Sequence, residues 1–190
     1  HAQILEKVEL LDAEGVDVIN VGGSPVVTLY GREGHERLIR EIGARTSRPF
    51  VTALQAEVEG IRAVGGRRVL IASPYPSAQT EKRATVLAEE GLDVVAHDSL
   101  DIERTRDITM LDPEQVARQA IDLARAHPEG DVVVLDLVSN LVEIDAVADV
   151  RAAAFGQQEA VASTLKGSAV VVARVDEVGH HLLARDERFD

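Results

Sequence analysis

The chain has 190 residues, 33 acidic against 20 basic side chains, a formal net charge of −13, 3% aromatic residues and no cysteine. That length allows one large domain or two small lobes, with Val, Leu, Ile and Ala filling the core in place of aromatics. The acidic balance argues against nucleic acid, whose phosphates need clustered Lys and Arg, and the missing cysteines exclude disulfides, thiolate metal sites and thiol nucleophiles.

No apolar run approaches the ~18 residues of a membrane span, and no signal-peptide pattern opens the chain, so the cytoplasm is the default location. Ile4, Leu5, Val8, Leu10 and Leu11 fit one face of a helix that Glu14-Gly15 ends. The chain opens inside that helix, and a strand ahead of it is expected in the natural protein. Val16 to Val21 reads as a strand broken by Gly22-Gly23-Ser24-Pro25. Two glycines let the backbone turn tightly and approach a ligand, and Ser24 offers a hydroxyl at the strand's end. An ordinary βα turn is the plainer reading of so short a motif. Tyr30 to Gly34 reads as a loop, His35 to Gly43 as a short helix, and Pro49-Phe50-Val51 as a short strand. Thr52 stands before a helix that runs to Val64 and ends at Gly65-Gly66. It reads as an N-cap, with a ligand contact as the alternative.

Val69 to Ala72 is an apolar run without alternation, the mark of a parallel strand covered on both faces. Ser73-Pro74-Tyr75-Pro76 stops it, because proline removes a ladder donor and constrains its neighbour. A helix from Ser77 to Ala88 follows, with Ser77 able to cap its first turn. Strand, tyrosine-bearing loop and helix N-terminus together form the place where open α/β sheets bind anions.

Gly91 to Ala96 reads as the next strand, and His97 to Met110 as a polar connection with Asp98, Asp101, Glu103 and Asp107 in solvent. Asp112-Pro113-Glu114-Gln115 is a strong helix start. That helix runs to Ala126, and His127-Pro128-Glu129-Gly130 ends it. Asp131 to Leu135 is a second deeply apolar strand, and polar groups return from Asp136 to Asn140. Ser139 and Asn140 can donate hydrogen bonds to a carboxylate or oxyanion, or cap the helix expected over Val142 to Ala154. The tail reads as a helix from Gln157 to Leu165 and a strand from Ala169 to Ala173. His180 and His181 are adjacent and therefore point in different directions, so no metal pair is expected.

Alternating strands and helices point to an α/β protein with parallel, doubly wound sheets. Two similar halves are visible, each presenting a strand that ends in a polar turn: Gly22 to Pro25 in one, Val138 to Asn140 in the other. The expected organisation is a first lobe over residues 1–60, a second over 61–154 and a divergent tail over 155–190 that packs back on them. A ligand cleft would lie between two pseudo-symmetric lobes, each a parallel sheet flanked by helices.

Gly15-Val16-Asp17-Val18-Ile19 leading to Gly23-Ser24-Pro25, then Thr52, Ser73-Pro74-Tyr75, Leu111 to Val116 and Ser139-Asn140-Leu141, resemble the Asp/Glu racemase superfamily. The branch is that of maleate isomerases and arylmalonate decarboxylases, and the likeness runs from about Leu5 to Ala153. It implies cofactor-independent chemistry at the carbon beside a carboxylate, with one or two cysteines at matching strand ends. Those cysteine positions fall on Gly23 and Val138. Glycine at the first is similar to the decarboxylase branch, whereas valine at the second departs from the pattern. The resemblance also implies a carboxylate grip from Ser24, Tyr75, Ser139 and Asn140, with Pro25 replacing a hydroxyl residue. Members of this fold commonly pair, so a homo-oligomer is one state open to the chain.

A carbanion formed beside a carboxylate needs preorganised donors and a group of tunable pKa. With no thiol, Asp136 is the nearest proton-transfer candidate, a carboxylate bonded to turn amides being its plainer reading, and Tyr75 is a second candidate. Two functions follow. One is an enzyme of decarboxylase or isomerase type on a small carboxylate, using non-cysteine acid–base chemistry. The other is a carboxylate-binding or partner-subunit protein that keeps the fold without turnover.

Overall fold

The structure is a computed structural model and describes residues 1–23, 28–137, 160–165 and 168–174. Helix α1 (Ala2–Ala13) leads to β1 (Ile19–Val21), α2 (Gly31–Gly43), β2 (Phe50–Thr52) and α3 (Ala53–Ala63). Then come β3 (Arg68–Ser73), α4 (Ser77–Glu89), β4 (Asp93–Ser99), α5 (Thr105–Ile108) and α6 (Pro113–Ala126). Strands β5 (Val132–Leu137), β6 (Ala160–Leu165) and β7 (Ser168–Arg174) complete the described elements. The chain is α/β, with parallel strand pairs flanked by helices.

Strands β1 and β2 form a small parallel sheet in the register Ile19↔Phe50, Asn20↔Val51 and Val21↔Thr52. A second sheet has the order β4-β3-β5-β7-β6. Its central strands bury both faces, which is why β3 and β5 read as unbroken apolar runs. Successive side chains alternate across the sheet. Val69, Ile71, Val132 and Val134 therefore pack with Leu54, Val58 and Ile61 of α3 and Val86 and Leu87 of α4. Leu70, Ala72, Val133 and Leu135 pack with Val116, Ala120 and Leu123 of α6 on the other side. A separate cluster of Leu5, Val8, Ile19, Val21, Leu38 and Ile42 surrounds β1. Helix α3 starts where the small sheet ends and lies on the large one, so it joins the two.

Several elements differ from expectation. In α1, Leu5 and Val8 are buried but Leu10 and Leu11 are exposed. Leu10 lies two positions past Val8, about 200° around the helix, and so points away from the core. The span Tyr30 to Gly34 is not a loop, because α2 starts at Gly31. Glycine disfavours helix by about 1 kcal/mol, yet tertiary packing overrides that bias. At Gly34 a Cβ would meet Tyr30 Cβ at 2.8 Å, so the missing side chain is what lets Tyr30 lie there.

Strand β4 runs on to Ser99 rather than ending at Ala96, and a short helix, α5, interrupts the polar connection. Residues 160–165 form a strand, not the expected helix. Val161, Ser163 and Thr164 suit a strand better than a helix once a neighbour offers ladder partners. β7 supplies them, pairing antiparallel with β6 and with β5. The large sheet is therefore mixed, parallel at β4-β3-β5 and antiparallel beyond.

Candidate functional site

The carboxyl ends of the parallel strands hold two groups of expected site residues. In the small sheet, Thr52 ends β2 beside Val21, and Gly23 follows two residues past Val21. Gly23 has φ +89°, a conformation that L side chains rarely adopt. The left-handed turn gives a backbone reason for glycine at a position where the resemblance places a cysteine.

Thr52 is the N-cap of α3. Its Oγ1 accepts from the Gln55 amide at 3.2 Å, while Gln55 Oε1 accepts from the Thr52 amide at 3.1 Å. The two form a capping box that satisfies two otherwise orphaned donors. A third partner was not visible in the sequence: His35 Nε2 of α2 lies 2.8 Å from Thr52 Oγ1. His35 is 4% exposed, and burial pulls its pKa below 6.5 against the opposing pull of Glu90 and Glu36. The available signal was its place three and seven residues before Leu38 and Ile42, which puts an imidazole on the apolar face of α2.

In the large sheet, β3 and β5 run parallel, with Ala72 beside Leu135. One residue further on, Ser73 and Asp136 share the same sheet end, and the Tyr75 loop follows. Ser73 is buried, and its Oγ accepts from the Tyr75 amide at 3.3 Å. Tyr75 itself is half-buried. Gln119 of α6 holds this turn from below by donating through Nε2 to the Ser73 carbonyl at 3.1 Å and to Asp98 Oδ2 at 2.9 Å. A register shift between Val69 and Leu70 lets Ser73 pair with Ser99. Side chains alternate, so Asp98 meets Gln119 while Ser99 Oγ donates to Thr80 Oγ1 at 2.8 Å.

Ser77 does not cap α4. The cap residue is Pro76, and Ser77 instead donates through its amide and its hydroxyl to Asp101 Oδ1, each at 2.7 Å. Asp101 adopts φ +54°, and these bonds hold its carboxyl below the usual carboxylate range. The helix N-terminus expected to greet a foreign anion thus already has one of the chain's own, consistent with the helix dipole. A loop running from Leu100 to Ile102 brings it there, with the Leu100 amide on the Ser73 carbonyl and the Ile102 amide on the Pro74 carbonyl, both at 3.0 Å.

Ser24, Val138, Ser139 and Asn140 lie outside the described residues, as do Pro25, the Val142 to Ala154 helix and the histidines 180 and 181. Among the described residues no group of three or more acidic or imidazole side chains could hold a metal. No described helix is long and apolar enough to cross a membrane. A cavity of about 540 Å³ lies between α1 and β1, and none of the residues expected to grip a carboxylate lines it.

An α/β chain with polar groups gathered at the carboxyl ends of parallel strands is the architecture of a small-molecule site. A model of the arylmalonate decarboxylase family matches residues 1–184, a span that runs past Ala153, where the likeness read from the sequence ends. The chain belongs to the arylmalonate decarboxylase family.

The arylmalonate decarboxylase of Bordetella bronchiseptica is 27% identical over 151 residues, 80% of this chain and 60% of the relative. The chain thus spans less than two thirds of that relative's length. A crystal structure of a double mutant of arylmalonate decarboxylase in the liganded form superposes with a TM-score of 0.74 at 24% identity, covering 80% of this chain and 64% of that one. A Nocardia farcinica maleate cis-trans isomerase mutant with a covalently bound succinylcysteine intermediate gives 0.61 at 23% identity, over 68% and 54%. At those identities the two structures establish a common fold. The relatives are decarboxylase and isomerase enzymes.

Proposed function

We propose that this chain acts as a cofactor-independent enzyme on a small carboxylate, by decarboxylation or isomerisation, with an arylmalonate as the first substrate class to try. The observation that carries this reading is the register of Val21 with Thr52, followed by the left-handed turn at Gly23. It supports a strand-end pocket in which Gly23, Ser24 and Thr52 face one side of a small anion. Tyr75, Ser139 and Asn140 are proposed for the other side, with Asp136 next to them in β5.

Decarboxylation suits a chain without thiols. The bond from the α-carbon to one carboxyl breaks, carbon dioxide leaves, and the electron pair spreads into the remaining carboxylate as an enediolate. No base is required for that step. Donors such as the Tyr75 hydroxyl stabilise the developing charge. Asp136 in its acid form, or Tyr75, then returns a proton to the α-carbon.

A second reading has an observation of its own. The sequence holds no cysteine, and the maleate isomerase mutant described above carries a covalently bound succinylcysteine intermediate. A chain that binds a carboxylate without turning it over, or serves as a partner subunit, would tolerate that loss.

One experiment separates the two. Phenylmalonate in D2O is incubated with the protein and followed by proton NMR, beside a thermal-shift series with small mono- and dicarboxylates. Phenylacetate carrying deuterium at the α-carbon supports the enzyme. Thermal stabilisation with no product supports the binding protein, and neither response overturns both.

A further inference from the structure

The Ser73-Pro74-Tyr75-Pro76 loop has little freedom of its own. Each proline locks its own φ and confines the residue before it, here Ser73 and Tyr75, to extended conformations. A stretch this stiff takes its aim from its ends. At the far end Ser77 is tied to Asp101 Oδ1 through its amide and its hydroxyl, each at 2.7 Å. At the near end Gln119 Nε2 donates to the Ser73 carbonyl at 3.1 Å and to Asp98 Oδ2 at 2.9 Å, so both hydrogens of its NH2 group are used. Both partners are acceptors, which fixes the amide with its nitrogen toward the turn.

Neither partner needs Gln119 to be satisfied. The Ser73 carbonyl already takes the Leu100 amide at 3.0 Å, and Asp98 is exposed to water. Nor does packing ask for an amide. Gln119 is 7% exposed on the face of α6 that carries Val116, Ala120 and Leu123. Its Oε1 is buried with no hydrogen-bond partner among the described residues, and a buried acceptor left unpaired costs stability. A leucine there would fill the same space without that cost. What the amide adds is a fixed position for the Ser73 peptide and, through the stiff loop, for Tyr75.

We propose that Gln119 is a positioning residue that holds the Tyr75 hydroxyl where charge develops on a decarboxylating substrate. This rests on the enzyme reading above and names the residue that aims one of its donors. A donor displaced from that charge lowers the rate more than the binding, because its hydrogen bond strengthens in the transition state. Removing the amide relieves a buried unpaired acceptor and frees the loop, so stability and rate move in opposite directions.

The test follows thermal unfolding, and phenylmalonate turnover by proton NMR, for wild type, Gln119→Leu, Gln119→Met, Tyr75→Phe and the double variant of Gln119→Leu with Tyr75→Phe. Gln119→Leu is expected to unfold at or above the wild-type Tm while its kcat falls about tenfold and KM changes little. In the Tyr75→Phe background the same substitution leaves kcat nearly unchanged, because the hydroxyl through which Gln119 acts is already gone. Gln119→Met, apolar and more adaptable in shape, gives the same result should leucine not fit the site.

Wild-type kcat in Gln119→Leu and Gln119→Met overturns the proposal and leaves the enzyme standing. So does a loss in kcat that multiplies with the loss from Tyr75→Phe, since Gln119 would then act by another route. A Tm well below wild type in both apolar variants assigns the amide to stability and overturns it as well. A wild-type protein that turns over no phenylmalonate removes the enzyme reading and the proposal together.

Discussion

Arg83 donates from both Nε and Nη2 to Glu57 Oε1, at 3.0 and 2.7 Å, and so ties α4 to α3 across the face of the large sheet. Both side chains are buried, at 3% and 0% exposure. Removing one partner strands the other charge away from water, which costs about 3–5 kcal/mol for buried pairs. Arg83→Met and Glu57→Leu are each expected to lower the unfolding free energy, read from urea denaturation, by an amount in that range. The double variant recovers most of the loss, since two apolar side chains leave no unpaired charge behind. A double variant no better than the worse single would show that the pair's remaining contacts matter more than its charge.

The Asp101 carboxylate at the start of α4 makes a prediction about acid. Its folded-state pKa lies below the ordinary value because Ser77 bonds the charged form twice. Its stabilising effect is therefore present above pH 3.8 and fades as pH falls through the lower, folded value. Asp101→Ala is expected to lower Tm at pH 7, with the gap to wild type closing in strong acid. Asp101→Gly keeps the left-handed backbone at this position and isolates the carboxylate. A gap unchanged between pH 7 and pH 2 would assign the loss to backbone strain instead.

His35 predicts the opposite end of the acid range. Burial lowers its pKa, with Glu90 and Glu36 pulling the other way. The unfolded chain thus takes up a proton before the folded one does, so stability rises with pH across that window and falls below pH 6.5. The expected observation is a urea midpoint that declines from pH 7 to pH 5 in wild type and is flatter in His35→Gln. Equal slopes in the two proteins would show that His35 is neither buried nor neutral.

Close packing at the start of β5 is testable by addition rather than removal. A Cβ at Gly130 would meet Leu70 Cγ at 2.6 Å and Cδ1 at 2.7 Å. Gly130→Ala is expected to cost about 1–3 kcal/mol through overpacking. Leu70→Ala alone is expected to cost about 2–5 kcal/mol through the cavity it leaves. The double variant costs clearly less than the sum, because the new methyl group occupies part of the vacated space. Strict additivity in chemical denaturation would place the two residues out of contact.

For the proposed chemistry, Tyr75→Phe and Asp136→Asn are the informative pair. Loss of one donor to a developing oxyanion is expected to lower kcat by about 10²-fold. Loss of the group that returns the proton is expected to lower it by about 10²–10⁴-fold. Deuterium placement in the product from phenylmalonate gives the check. Full activity in both variants would send the search for the proton donor elsewhere.

Much of the large sheet was legible in the order of residues. Val69 to Ala72 and Val132 to Leu135 are apolar without alternation, and only a strand covered on both faces accommodates that. The Thr52 cap was legible too, from a threonine standing just before a helical stretch. The 160–165 strand was not, because Ala160, Ala162 and Leu165 are good helix formers and the choice came from a partner, β7. The cap on α4 was misread for a similar reason: Ser77 is a good capping residue, but Asp101, brought back by the Leu100 to Ile102 loop, reaches the helix end first.

By itself the residue order determined the alternation of strands and helices and the strand ends where polar groups collect, because periodicity and turn chemistry act over a few neighbouring positions. Only the tertiary structure decided which polar side chains are turned inward and what they meet. His35, Glu57, Arg83 and Gln119 sit on helix faces that pack against the core, and their partners lie 17 to 46 residues away. A hydrogen bond over such a separation depends on how whole elements pack, which no local pattern encodes.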